Sequence, residues 1–313
     1  MSFVHGTHQE QDQRIAERLA EGEAIKGRSL WQDAMQRFFR NKASVASLII
    51  LAAILLFTLV GPHFAVWSNE EIDWDRMGDV ASLGAPSIEN GHYFGLDDLG
   101  RDLYARTIQA TLTSLMVGVI GSLVAVVIGT IYGAVAGFVG GWVDGLMMRI
   151  VDVLYAVPFM FVIILLLVIF ERSLFMLFVG IGVLSWLGMS RIVRGQTLSL
   201  KNREFVEAAR AAGVGWFTII LRHIVPNLIG IVVVYATLLV PDMIMAESFI
   251  SFLGLGVQEP DTSLGALISE GAGTILHGTV WQLAVPLSFF LTIIISLFFI
   301  GDGLRDALDP KDR

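Results

Sequence analysis

The chain has no cysteine among its 313 residues. That excludes disulfides, thiolate metal sites and cysteine nucleophiles. Charge is scarce too: 16% of positions are charged and 55% are hydrophobic, which is too apolar for a soluble domain of this length. No G-x-x-x-x-G-K-[ST] occurs, so the backbone and lysine cradle needed to hold a triphosphate is missing. H-E-x-x-H and G-x-S-x-G are missing as well, and the six histidines stand singly, without ligand spacing. The sequence thus offers no candidate catalytic residue, metal site or resident cofactor, and no nucleic-acid partner is expected. The first 40 or so residues are polar and charged, and they lack the apolar core of a cleavable signal peptide.

Long uncharged runs dominate the remainder. Residues 43–65 carry no Asp, Glu, Lys or Arg, and about 20 apolar residues suffice to cross the hydrocarbon of a bilayer. Further runs at Thr107–Val143, Val153–Phe170, Ser173–Ser190, Ile224–Pro241 and Gly271–Gly301 can each hold one span. The expected fold class is therefore an all-α polytopic membrane protein with six transmembrane helices. The run from Thr107 is longer than one crossing needs, and its Gly118, Gly121, Gly129, Gly133 and Gly137 point to close helix packing. Ahead of the first span, Leu30, Trp31, Met35, Phe38 and Phe39 give a helix one apolar side beside Arg37, Arg40 and Lys42, as in an elbow helix on a membrane face. Ser29 and Gln32 have capping-box spacing. The segment up to Gly27 is expected to be poorly ordered or loosely helical.

Charge distribution orients the spans. Lys and Arg number seven in the first 42 residues, six between Ser190 and His223 and three in the tail after Gly301, against none in Phe249–Val280. The 66–106 loop holds nine acidic residues and only Arg76, Arg101 and Arg106. Positive residues avoid the translocated side, so both termini and the 190–224 loop are expected in the cytoplasm and the 66–106 loop outside. The division is thus a tail and elbow over 1–42, a first span over 43–65, an outer loop over 66–106, a five-helix core over 107–301 containing the loop at 190–224, and a tail over 302–313.

Glu204–Asn227, EFVEAARAAGVGWFTIILRHIVPN, is a polar island between these runs. It reads as a short helix over about 203–212, broken at Gly213 and Gly215, then a second apolar helical run ending at Pro226. Glu207, Ala208 and Ala209 sit together on the first helix, where two methyl side chains permit close approach of another protein and a carboxylate can accept hydrogen bonds. Spacing and composition here resemble the EAA loop of membrane subunits of bacterial ATP-binding-cassette importers, with His223 and Val225 replacing the usual residues before the proline.

Four other stretches resemble the oligopeptide and dipeptide branch of that family, in particular its second, C-type, oligopeptide permease: His92–Leu103, Gly140–Asp144 with Met148, Arg149 and Asp152, Ser251–Pro260, and Gly301–Pro310. Leu264 departs from the tryptophan often found there. The resemblance implies a type I importer permease fold and a subunit in the bacterial inner membrane. It implies these partners: a second homologous permease, two cytoplasmic ATPases that bind the ATP and Mg, and a periplasmic binding protein that delivers peptide. On this resemblance, Glu204, Glu207, Ala208, Ala209, Gly213 and Pro226 form the ATPase-coupling set. The cargo expected is oligopeptide; dipeptides, murein peptides and nickel chelates are alternatives. An ATP-independent secondary transporter and a non-transporting scaffold are the competing classes, but no internal repeat of spans is visible.

Charges at membrane depth are functional candidates by default. Arg149 and Asp152 lie three apart and are expected to pair on one helix face. Asp242 and Glu247, after Pro241, are read at the outer end of the fifth span, as pathway residues or headgroup-level anchors. Pro158, Pro226, Pro241 and Pro286 lie where they can bend helices.

Overall fold

The computed structural model describes residues 30–170 and 174–308. The expectations for the segment up to Gly27, for Ser29 as a cap and for the end of the tail lie outside these residues. Within them the regular structure is helical, apart from two isolated antiparallel bridges, Ile72 with Arg101 and Leu96 with Asp102.

Helix α1, Leu30–Arg40, lays Ala34 and Phe38 against Ala307 at the end of the last helix, while Trp31, Met35 and Phe39 stay exposed. That apolar exposed side beside Arg37 and Arg40 has the composition of an elbow helix. Asn41 separates α1 from α2, Lys42–Val60; its side-chain oxygen accepts the Ala43 amide at 3.1 Å and starts the first span. After a 3-10 turn, Gly61–Phe64, and two one-turn helices, α3 (Trp74–Met77) and α4 (Val80–Leu83), the chain enters α5, Leu103–Val139. Asp102 caps α5 through the Ala105 amide at 2.8 Å.

Helix α5 is the axis of the fold and packs chiefly on α8, Leu174–Leu200. The contact depends on the glycines anticipated in the sequence: a methyl placed on Gly133 would lie 2.3 Å from the Ser190 carbonyl oxygen, and one on Gly129 2.6 Å from Met189 Cβ. Small residues let the two backbones approach, which drives helix association in lipid. The third crossing is not one helix. α6 (Gly141–Ala156) and α7 (Phe159–Ile169) meet at 78° around Pro158, which fixes its own φ and disfavours helix at Val157. Counting that bent pair as one, six candidate spans are present among the described residues.

Three boundaries differ from expectation. Helix α8 continues ten residues past Ser190, so the following connection begins at Lys201. The second helical run of the polar island does not end at Pro226, nor the fifth span at Pro241: α11 runs Val225–Phe252 through both. Pro226 falls in its first turn, where a missing N–H costs nothing, and the chain absorbs Pro241 inside the helix. The Gly271–Gly301 run is two elements, because α12 (Leu264–Thr274) and a 3-10 turn (Ile275–His277) end at Gly278, φ +87°, before α13 (Val280–Leu308). No charge marks that turn, so hydropathy alone fuses the two.

Candidate coupling surface and membrane-level charges

The polar island forms α9, Glu204–Ala211, which ends in a Schellman-type turn: the Val214 amide donates to the Ala209 carbonyl at 3.1 Å and the Gly213 amide to Arg210 at 3.0 Å. Gly213 has φ +76° with open space around it, so glycine is required there by backbone conformation, not by crowding. Helix α10, Trp216–Ile219, then passes through a π-turn, Ile220–Ile224, straight into α11. In that turn the Val225 amide reaches back to the Ile220 carbonyl, five residues away.

Helix α9 has two faces. Glu204, Glu207 and Ala208 are exposed, with Phe205 half-exposed beside them. Val206 and Ala209 are buried with Phe138 at the end of α5 and with Ile219, Ile220, Ile224 and Leu228 at the root of α11. This corrects one expectation: Ala209 is not part of an approachable surface, because at two positions beyond Glu207 it turns under the helix and packs inward. The Arg210 guanidinium lies 5.0 Å over the Phe138 ring, and Lys201 donates to the Gly137 carbonyl at 3.1 Å, so α9 and the connection before it are both tied to the end of α5. Pro226 is exposed in the first turn of α11, on a small depression shared with α1 and the end of α13.

The pairing expected between Arg149 and Asp152 is not formed. Asp152 bonds Arg191 of α8 at 2.7 Å, whose guanidinium also covers the Tyr155 ring at 4.5 Å, while Asp144 takes Arg194 at 2.6 Å. The extension of α8 past Ser190 supplies those two arginines, and Arg149 is left exposed. Asp242 and Glu247 also separate. Glu247 is fully buried and accepts from the hydroxyls of Ser251 at 2.6 Å, Ser114 at 3.0 Å and Ser248 at 3.3 Å. Ser114 also accepts the Leu264 amide at 3.2 Å, so this carboxyl group ties α5, α11 and the start of α12 together and is no headgroup anchor. Asp242 lies on a cleft between the broken span, α8 and α11.

The opposite end of the bundle holds a cluster that sequence reasoning missed. His92, buried, stands 2.9 Å from Asp102 and 3.3 Å from Asp73 and stacks on Trp67. Arg106, 2% exposed, bonds Asp97 and reaches Glu270 of α12 at 2.9 Å; Arg101 joins Asp97 at 2.7 Å to Glu259 at 2.7 Å. The Leu96 carbonyl accepts from Trp281 and Gln282 of α13. Burial pushes the Asp73 carboxyl up, but bonds from Arg76 and His92 outweigh it and leave the group below its ordinary value. Burial holds Glu270 above its ordinary value against the pull of Arg106. The 66–102 loop is thereby clasped to α12 and α13. The acidic excess and the His92–Leu103 stretch marked this segment in sequence, but its partners are up to 186 residues apart.

Residues 125–313 match the family model described as binding-protein-dependent transport system inner membrane component, and residues 29–86 match the N-terminal TM domain of oligopeptide transport permease C. The chain is 54% identical over 302 residues to the oligopeptide transport system permease protein OppC of Haemophilus influenzae, covering 96% of this chain and 94% of that one. It is 53% identical over 297 residues to OppC of Escherichia coli K12, covering 95% and 96%. The dipeptide transport system permease protein DppC of Bacillus subtilis is 43% identical over 300 residues, covering 95% and 91%.

Proposed function

The chain belongs to the family of binding-protein-dependent transport system inner membrane components, and from that premise we propose that it is one permease half of an ATP-driven importer of oligopeptides. The observation that carries this reading is the two-faced α9: an exposed row of Glu204, Glu207 and Ala208 above a buried row rooted in α5 and α11. A push on the exposed row is received by two spans at once, because Val206 and Ala209 have no room to yield independently of Phe138 and Ile220.

In this reading α9, α1 and the end of α13 face the cytoplasm, where two ATPase subunits bind ATP and Mg and dock on α9. The clasped 66–102 loop and α12 face the periplasm and receive a peptide-binding protein. A second, homologous permease completes the pathway. ATP closure of the ATPase pair moves α9, and the bundle alternates between inward and outward access. The chain performs no hydrolysis; it converts a partner's conformational change into an altered opening, which requires contacts on α9 that differ between the two states. The cargo assignment rests on similarity to the two oligopeptide permeases over 94% or more of their length.

The test is isolation of the chain in mild detergent with its companions, followed by reconstitution in vesicles. ATP-dependent accumulation of tri- to pentapeptides that requires the ATPases and the binding protein is expected. Solute movement by the chain alone would overturn the reading.

A further inference from the structure

Of the four carboxylates Asp144, Asp152, Asp242 and Glu247, Asp242 alone has no protein partner among the described residues. Asp144 and Asp152 are held by arginines, and Glu247 is enclosed by serine hydroxyls. Asp242 is exposed, and no described residue gives it a hydrogen bond or an ion pair. It stands ten residues before the end of α11, within a candidate span. An ionised side chain there is costly against lipid, and such groups face a bundle interior or a water-filled cavity.

The structure supplies that cavity. A cleft of about 440 Å³ opens beside Asp242 where Pro158 breaks the third crossing. Its walls are Tyr155, Pro158 and Phe159 on one side, Ser185 and Gly188 of α8 behind, and Met243 beside Asp242 on α11. Mostly apolar walls with one aimed charge match the usual construction of a small-molecule site. Arg191, the cation beside Tyr155, is already committed to Asp152 and the Tyr155 ring. No described residue complements the charge of Asp242.

We propose that Asp242 is a cargo-contacting carboxylate on the pathway face of this subunit, pairing with ammonium groups on the side chains of peptides in transit and favouring basic peptides. The inference rests on the importer reading above. It adds a selective residue in the membrane to whatever selection the binding protein performs.

The test uses the complete complex in vesicles, with two tripeptide cargoes differing only in lysine or norleucine at the central position, and binding-protein occupancy equalised for both. Asp242→Asn is expected to lower ATP-dependent uptake of the lysine peptide about two- to fivefold relative to the norleucine peptide, as a partly exposed ion pair would. Asp242→Glu is expected to restore the preference, and stimulation of ATP hydrolysis by the loaded binding protein is expected to persist in both variants. Equal rates of the two peptides in wild type, or an equal loss for both in Asp242→Asn, would overturn the proposal and leave Asp242 as a contact to the companion permease. Absence of ATP-dependent uptake of either peptide by the wild-type complex would instead remove the importer reading itself, and this inference with it.

Discussion

Replacing Gly133 by alanine separates a packing role from a mere helix position. The new methyl would stand 2.3 Å from the Ser190 carbonyl oxygen, 2.9 Å from Val193 Cβ and 3.0 Å from the Arg194 amide nitrogen. Ordinary contact begins near 3.4 Å, so α5 and α8 must part by about 1 Å at their closest crossing. Overpacking of that kind costs about 1–3 kcal/mol. Alanine recovers about 0.5–1 kcal/mol of helix preference, leaving a net loss of up to about 2.5 kcal/mol. Gly145 in α6 is the internal control, because its added methyl meets nothing within 4 Å. There the substitution should keep only the gain. Thermal unfolding in detergent should give midpoints that move in opposite directions, down for Gly133→Ala and level or up for Gly145→Ala. Equal shifts of the same sign would refute the claim that glycine spacing sets the α5–α8 approach.

Two other predictions concern the clasp at the far end of the bundle. Arg106→Gln leaves Asp97 and Glu270 with less compensation in a buried site and should destabilise by about 3–5 kcal/mol; adding Glu270→Gln should recover part of that loss in a double-mutant thermal unfolding cycle, and strict additivity would contradict the pairing. Asp73, held below its ordinary value of 3.8, contributes stability that is complete above that value and lost as pH falls through its lower folded value. Amide protection factors in residues 65–102, taken against intrinsic rates at each pH, should therefore fall on acidification below about pH 3.8 in wild type, and Asp73→Asn should show lowered protection already at neutral pH; pH-independent protection in wild type would count against it.

Much of the architecture was readable from uncharged runs, because a bilayer leaves a span little choice but a continuous apolar helix. The misjudged boundaries share one cause. Pro226, Pro241 and Asp242 look like stops, yet a proline in a first helical turn or within a well-packed helix does not end it, and a charge facing a cleft need not leave the membrane. Residue spacing correctly placed Arg149 and Asp152 on one helix, but local spacing cannot see Arg191, which arrives from a helix 39 residues away and takes the carboxylate. The same limit hid the Arg106–Glu270 contact. Within the coupling loop, Gly213 was legible because a left-handed turn needs glycine, whereas the burial of Ala209 depends on which face of α9 meets Phe138, and that is decided by tertiary packing.

Transmission of work through α9 is open to direct measurement. Glu207→Arg reverses the charge on its exposed face, and Gly213→Pro forbids the positive φ that ends it; neither side chain lies in the bundle core. Measured in vesicles containing the complete complex, both variants should insert and retain their companion permease, yet lower ATP-dependent peptide uptake about 5- to 150-fold, the usual span of a coupling energy between sites. Wild-type uptake together with wild-type stimulation of ATP hydrolysis in both variants would contradict it.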